Sequence, residues 1–179
     1  MRARIETEHL ILRNLTVEDA EAVFLWCGDP KVNRFMIYPL YKDVEEVKIW
    51  IESRDPDNPD DYNYGFVRKD TGELIGEGGL VYQPEREIWT MGYNLRADQW
   101  RKGYTVEAIE AIIEFIQKSR QITSIAAKVA SDNHRSIRVM EKLGMVPVGE
   151  TIYEKADKSE VFQAKIYRRV FSCYNMNTD

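Results

Sequence analysis

The feature that most narrows the fold of this chain is a change of hydrophobic period between Glu87 and Ala130. Glu87 to Leu95 reads as a strand. From Thr105 to Ser119 the apolar residues Ile109, Ile112, Ile113 and Ile116 fall at helical spacing, and Thr123 to Ala130 follows as a short strand of small and branched residues. A strand, helix, strand succession of this length reads as a crossover unit, in which a helix carries the chain across a sheet. Upstream, Tyr62 to Arg68 and Leu74 to Tyr82 are strands joined by the turn Lys69, Asp70, Thr71, Gly72, with glycine where a positive φ is needed. With Glu87 to Leu95 they complete an antiparallel meander. Gly76, Gly78 and Gly79 weaken the second of these strands unless another backbone or a ligand comes close.

Around this centre the remaining elements are shorter. His9 to Leu15 alternates as a strand, and Thr16 followed by Asp19 starts a helix with Ala20, Val23, Phe24 and Cys27 on one stripe, ending at Gly28 and Pro30. A second helix opens at Asp43 and buries Val47, Trp50 and Ile51. Between them Lys31 to Lys42 is irregular and aromatic, fitting either core packing under a loop or a substrate-facing wall. Asp55 to Asp61, rich in aspartate and proline, is a solvated connection. Asn133 caps a helix with Ile137, Met140 and Leu143 on its apolar face and Gly144 at its end. Val146 to Tyr153 and Phe162 to Val170 are closing strands. Residues 1–171 thus read as a single domain and 172–179 as a frayed tail.

The 179 residues suffice for one full core, and a 44% hydrophobic, 31% charged composition excludes collagen-like and wholly disordered chains. A net charge of −5 argues against a nucleic-acid binder and accommodates a cationic substrate more easily. No apolar run approaches the ~18 residues a membrane span needs, and the charged start lacks a signal-peptide core, so a cytoplasmic location without membrane partners is expected. Cys27 and Cys173 form no disulfide framework and read as inert thiols. His9 and His134 stand in unlike contexts, so no metal site is expected.

The chemically informative segment runs Leu95, Arg96, Ala97, Asp98, Gln99, Trp100, Arg101, Lys102, Gly103, Tyr104, Thr105, Val106, Glu107, Ala108, a strand passing through a basic turn into a helix. Amides at the start of a helix lack internal partners and the helix dipole adds positive charge there, so such a turn can hold a pyrophosphate. Gly103 lets the main chain approach phosphate oxygens, and Arg101 and Lys102 add attraction. The segment equally reads as a plain connection with solvated basic residues. It is neither a Walker loop nor a dinucleotide fingerprint.

At this point the sequence resembles the GNAT superfamily of acetyl-CoA-dependent N-acetyltransferases, in the branch of the ribosomal-protein N-terminal acetyltransferases. The resemblance rests on Thr7 to Arg13, the hairpin Leu74, Ile75, Gly76, the strand end Gly92, Tyr93, Asn94, Leu95, the turn from Trp100 to Ala108, and Asn133 to Met145. It implies an α+β fold: a mixed, mostly antiparallel twisted sheet of about seven strands flanked by about four helices, splayed between the strand ending at Leu95 and the strand from Thr123 to Ala130. It also implies acetyl-CoA in that splay, with pantetheine pairing near Tyr93, Asn94 and Leu95, pyrophosphate at the amides of Arg101, Lys102, Gly103, Tyr104 and Thr105 after Trp100, and Asn133 bonding the pantetheine arm. Capping alone also explains Asn133.

The implied reaction is direct attack of a primary amine on the thioester in a ternary complex, the acceptor being a protein N-terminus or a small amine. A main-chain N–H near Tyr93 would stabilise the oxyanion. Glu77, among glycines on a central strand, is the first candidate base and Glu154 the second; each also reads as a solvated or paired surface acid. The helix tyrosine that often protonates the thiolate in this family is replaced by Val139 and Met140. Ser136, which doubles as an ordinary first-turn helix residue, stands nearest by position, and Tyr104 is an alternative donor. Loss of that tyrosine opens a second reading, an inactive acyl-CoA-binding sensor or interaction module. Strands near the C-terminus could pair two subunits.

Overall fold

The computed structural model describes residues 3–171. One eight-stranded sheet has the order β1-β2-β3-β4-β5-β6-β8-β7. Its strands are β1 (Ile5–Glu6), β2 (Leu10–Arg13), β3 (Asp61–Arg68), β4 (Leu74–Gln83), β5 (Ile88–Leu95), β6 (Ser124–Ala130), β7 (Val146–Glu154) and β8 (Val161–Val170). Every neighbouring pair is antiparallel except β5 and β6. The helices are α1 (Ala20–Cys27), α2 (Pro30–Asn33), α3 (Val44–Glu52), α4 (Tyr104–Gln117) and α5 (His134–Lys142). The mixed, mostly antiparallel α+β expectation holds.

The count exceeds the expected seven strands and four helices for local reasons. β1 has two residues, too few to show a period. Pro30 does not simply end α1: the Asp29 carboxylate accepts the Lys31 N–H at 2.8 Å and Pro30 occupies the first turn, where its missing N–H costs nothing, so the chain restarts as α2. α3 begins as its sequence indicates, with Asp43 accepting from the Glu46 N–H at 3.0 Å and Glu46 returning a bond to the Lys42 N–H at 2.7 Å.

Apolar side chains pack on both faces of the sheet. On one, Ile109, Ile112, Ile113 and Ile116 of α4 join Leu80, Trp89, Ile125, Val129, Met140 of α5 and Tyr167. Each fully buried isoleucine contributes about 1.5–3 kcal/mol by leaving water, which makes this stripe the anchor of the crossover. On the other face α1 and α3 pack Val23, Trp26, Val47 and Ile51 against Val67 and Leu74. The glycines of β4 are explained by close backbone approach: a Cβ at Gly79 would strike the Tyr62 carbonyl, and one at Gly78 would lie 2.5 Å from the Tyr93 Cβ.

Beyond α1 and α3 that second face is roofed by the 34–42 segment. The β7–β8 connection is fastened to this roof. Lys155 Nζ donates to Asn33 Oδ1 at 2.8 Å, the Ala156 N–H donates to the Ile37 carbonyl at 2.7 Å, and the Tyr153 hydroxyl donates to the Phe35 carbonyl at 2.8 Å.

Candidate active site

β5 and β6 pair only at Trp89–Ile125 and Thr90–Ala126, and then diverge. The register of β5 on β4 fixes what faces the gap. The Arg96 N–H donates to the Ile75 carbonyl of β4 at 2.9 Å, and hydrogen bonds alternate along an antiparallel strand. Asn94 therefore points its N–H at β4, and Tyr93 points its N–H the other way, into the gap. The Leu95 carbonyl, on the same side as the Tyr93 amide, accepts from Trp100 Nε1 at 2.9 Å.

A cleft of about 1060 Å³ passes through this gap. Its lining draws on both faces of the sheet: Tyr93, Asn133 and Ser136 on the α5 side, and Tyr38, Tyr41, Trp50, Arg54, Asp61 and Glu77 on the α3 side. Cys27 also lines it; burial pushes its thiol up to about 12, which keeps it protonated and inert.

On the α3 side, Glu77 is buried and accepts from Arg54 at 3.0 Å through Oε2 and from Asn94 at 3.3 Å through Oε1. Tyr38 in turn donates to Asn94 Oδ1 at 2.7 Å. Burial raises the Glu77 carboxyl above the usual carboxylate range, against the opposing pull of Arg54 and Asn94. On the α5 side, the Tyr93 hydroxyl lies 2.8 Å from Ser136 Oγ. Asn133 accepts the Ser136 N–H at 3.3 Å as helix cap, and its amide nitrogen donates to Ser136 Oγ at 3.2 Å. Burial pushes the Tyr93 phenol up to about 12.

The turn after β5 leads directly from Leu95 into α4. Arg101 has φ +66° and Gly103 φ +91°, both left-handed, in the turn that starts α4. Arg101, Lys102 and Gly103 are exposed, and a Cβ at Gly103 would meet nothing within 4 Å, so its main chain is open to approach. Lys102 Nζ is tied to Gln99 Oε1 at 3.1 Å, and Thr105 is buried beneath the turn. The Arg135 guanidinium stacks 3.8 Å above the Trp100 ring, joining this turn to α5.

Five of the sequence candidates, Tyr93, Asn94, Asn133, Ser136 and Glu77, line the cleft; Leu95 and Trp100 to Thr105 do not line it and belong to the strand end and turn that follow. Among the acid and base candidates two stand apart. Glu154 is exposed on the sheet-edge strand β7 and does not line the cleft. Tyr104 turns its ring toward His9, 6.3 Å away, and under Arg68, which leaves it remote from Ser136. Sequence reasoning missed the Tyr93 side chain and Arg54, whereas Tyr38 and Tyr41, in the aromatic Lys31 to Lys42 segment, line the cleft. Alternation along β4 and β5 signals that Glu77 and Asn94 share a face; nothing local signals Arg54. Among the described residues no group of His, Cys, Asp or Glu is placed to hold a metal ion, and no helix is long and apolar enough to cross a membrane. The expected tail, 172–179, and Cys173 lie outside the described residues.

The GNAT acetyltransferase domain model matches residues 9–146. The N-acetyltransferase p20 of Bacillus licheniformis is 30% identical over 154 residues, covering 84% of this chain and 86% of its own. Among solved structures, a GNAT-family acetyltransferase from Bacillus anthracis superposes with a TM-score of 0.81 at 21% identity, covering 94% of this chain and 98% of its own. RimL, a ribosomal L7/L12 α-N-protein acetyltransferase solved with coenzyme A, superposes at 0.76 and 17% identity, covering 94% and 98%. The splayed sheet is thus the fold of these neighbours, and with the domain match spanning most of its length this chain belongs to the GNAT family of acetyltransferases.

Proposed function

We propose that the protein transfers an acetyl group from acetyl-CoA to a primary amine by direct attack in a ternary complex. The observation that carries this reading is the gap beyond Thr90 and Ala126, with the Tyr93 N–H turned into it and a cleft that opens on both sheet faces. RimL, similar in fold, is an α-N-protein acetyltransferase, which supports a protein N-terminus as one acceptor class.

In this reading Asn94 and Leu95 flank the pantetheine arm, the amides from Arg101 to Thr105 hold the pyrophosphate, and Trp100 and Asn133 shape the passage between them. The Tyr93 N–H takes the thioester oxygen and stabilises the oxyanion, a contribution of about 3 kcal/mol for one such donor. An amine with a pKa of ~10 reaches the site mostly protonated. Glu77 accepts that proton through water, its raised pKa bringing it closer to the working pH. The amine nitrogen then bonds to the carbonyl carbon and the C–S bond breaks.

The leaving thiolate needs a proton, and the hydroxyl pair supplies it. Because Asn133 Oδ1 takes the Ser136 N–H, the Asn133 amide nitrogen faces Ser136 Oγ as donor. The Ser136 hydroxyl then donates to Tyr93 Oη, leaving the phenol proton for the sulfur. Phenolate and protonated Glu77 reset through solvent. This donor from β5 answers the missing helix tyrosine, the feature that favoured an inactive sensor. The test is free-thiol release from acetyl-CoA with a panel of peptide N-termini, polyamines and aminoglycosides. Thiol release that requires one of these amines is expected; tight acetyl-CoA binding without turnover on any would overturn the reading.

A further inference from the structure

The registers of the sheet lay out the α3-side face row by row. Asp61, Val81, Thr90, Ala126 and Arg168 follow one another across β3, β4, β5, β6 and β8. The next row holds Gly92 on β5 and, across the gap, Lys128 on β6. Lys128 and Arg168 are diagonal neighbours on one face, a separation of roughly 7–8 Å. Both are exposed and both line the cleft. Among the described residues neither has an ion pair or a side-chain hydrogen bond.

From β4 through β8 this face carries one carboxylate, Glu77, and Arg54 already occupies it. Two like charges left side by side over glycine and alanine repel each other unless an anion arrives. The floor is therefore bipolar. Glu77 and Asp61 lie on the β3–β4 side of the gap, and Lys128 and Arg168 on the β6–β8 side, two and three strand spacings from β4, about 10 and 14 Å.

Resting on the acetyl transfer proposed above, we infer that the acceptor carries, besides its amine, an anionic group, a carboxylate or a phosphate, that lands on Lys128 and Arg168. The amine approaches from the Glu77 side and the anion sits about 10–14 Å away, the reach of roughly three to four residues of extended peptide. The chain's net charge of −5 points toward cationic substrates; the site's own charges point the other way.

The test uses tripeptide amides alike except at the third residue, which is alanine, aspartate, phosphoserine or lysine. The wild-type protein prefers the acidic peptides over the alanine peptide by about tenfold in kcat/KM, the scale of one charge-assisted hydrogen bond. The aspartate and phosphoserine arms separate the two anions. Arg168→Gln and Lys128→Gln each shrink the preference, and Arg168→Glu turns it toward the lysine peptide; both positions are exposed, so melting curves stay unchanged. Equal use of neutral and acidic peptides, or a preference unmoved in all three variants, overturns this inference and leaves acetyl transfer standing. No thiol release from any peptide, polyamine or aminoglycoside overturns both.

Discussion

Tyr93→Phe separates the phenol from everything else Tyr93 does. The strand register, the N–H facing the gap and the ring all survive. Ser136 Oγ keeps its donor from Asn133, so no buried group is orphaned. The folding cost is therefore that of one ordinary hydrogen bond, about 0.5–1.5 kcal/mol, or a fall of roughly 2–4 °C per kcal/mol in melting temperature for a chain of this size. Affinity for acetyl-CoA, measured by calorimetry, should stay within twofold. Turnover should drop about 10²–10⁴-fold, the usual worth of a positioned acid. An acetyl thioester of an electron-poor thiol leaves without protonation, so with that substrate the Tyr93→Phe deficit should shrink to a few-fold. Ser136→Ala, which loses orientation and keeps the phenol, should fall less than Tyr93→Phe on acetyl-CoA. Wild-type turnover of Tyr93→Phe, or a deficit identical for both thioesters, would refute the assignment of the acid to this hydroxyl.

Other perturbations test the remaining parts. Glu77→Gln should lower kcat and remove an acidic limb from the pH–rate profile. That limb lies above the ordinary carboxylate range, because the base works only when deprotonated and burial raises its pKa, so the wild-type rate climbs as pH rises through it. A replacement at Gly103 meets no neighbour but forces a side chain into φ +91°, at a cost of about 1–2 kcal/mol. Gly103→Ala should weaken coenzyme A binding measured by calorimetry; unchanged affinity would count against the turn as a pyrophosphate site. Gly79→Ala drives a methyl into the Tyr62 backbone and should cost at least the 1–3 kcal/mol of ordinary overpacking in urea denaturation.

What the sequence disclosed and what it withheld follow from the range of the interactions involved. α4 was legible because its isoleucines repeat within one helix and its glycine start is local. The parting of β5 from β6 was not readable from periodicity, since both strands carry ordinary strand patterns; it entered through family resemblance. Glu77 was found by alternation, whereas its partner Arg54 stands past the end of α3, where no period holds it. The Tyr93–Ser136 contact joins residues 43 apart in sequence and depends on how far the strands diverge. Glu154 looked equivalent to Glu77 in one dimension because nothing local marks β7 as the sheet's edge. Net charge is a poor guide for a related reason: it sums the whole surface, while the proposed recognition rests on local charges such as Lys128, Arg168 and Glu77.

The passage through the sheet gives each reactant its own doorway. Under the proposed reaction, a coenzyme held at the α4–α5 side would leave the α3 side open to an amine. A bisubstrate inhibitor for this site would have to thread the strait between β5 and β6 beyond Thr90 and Ala126, joining its halves by a short tether.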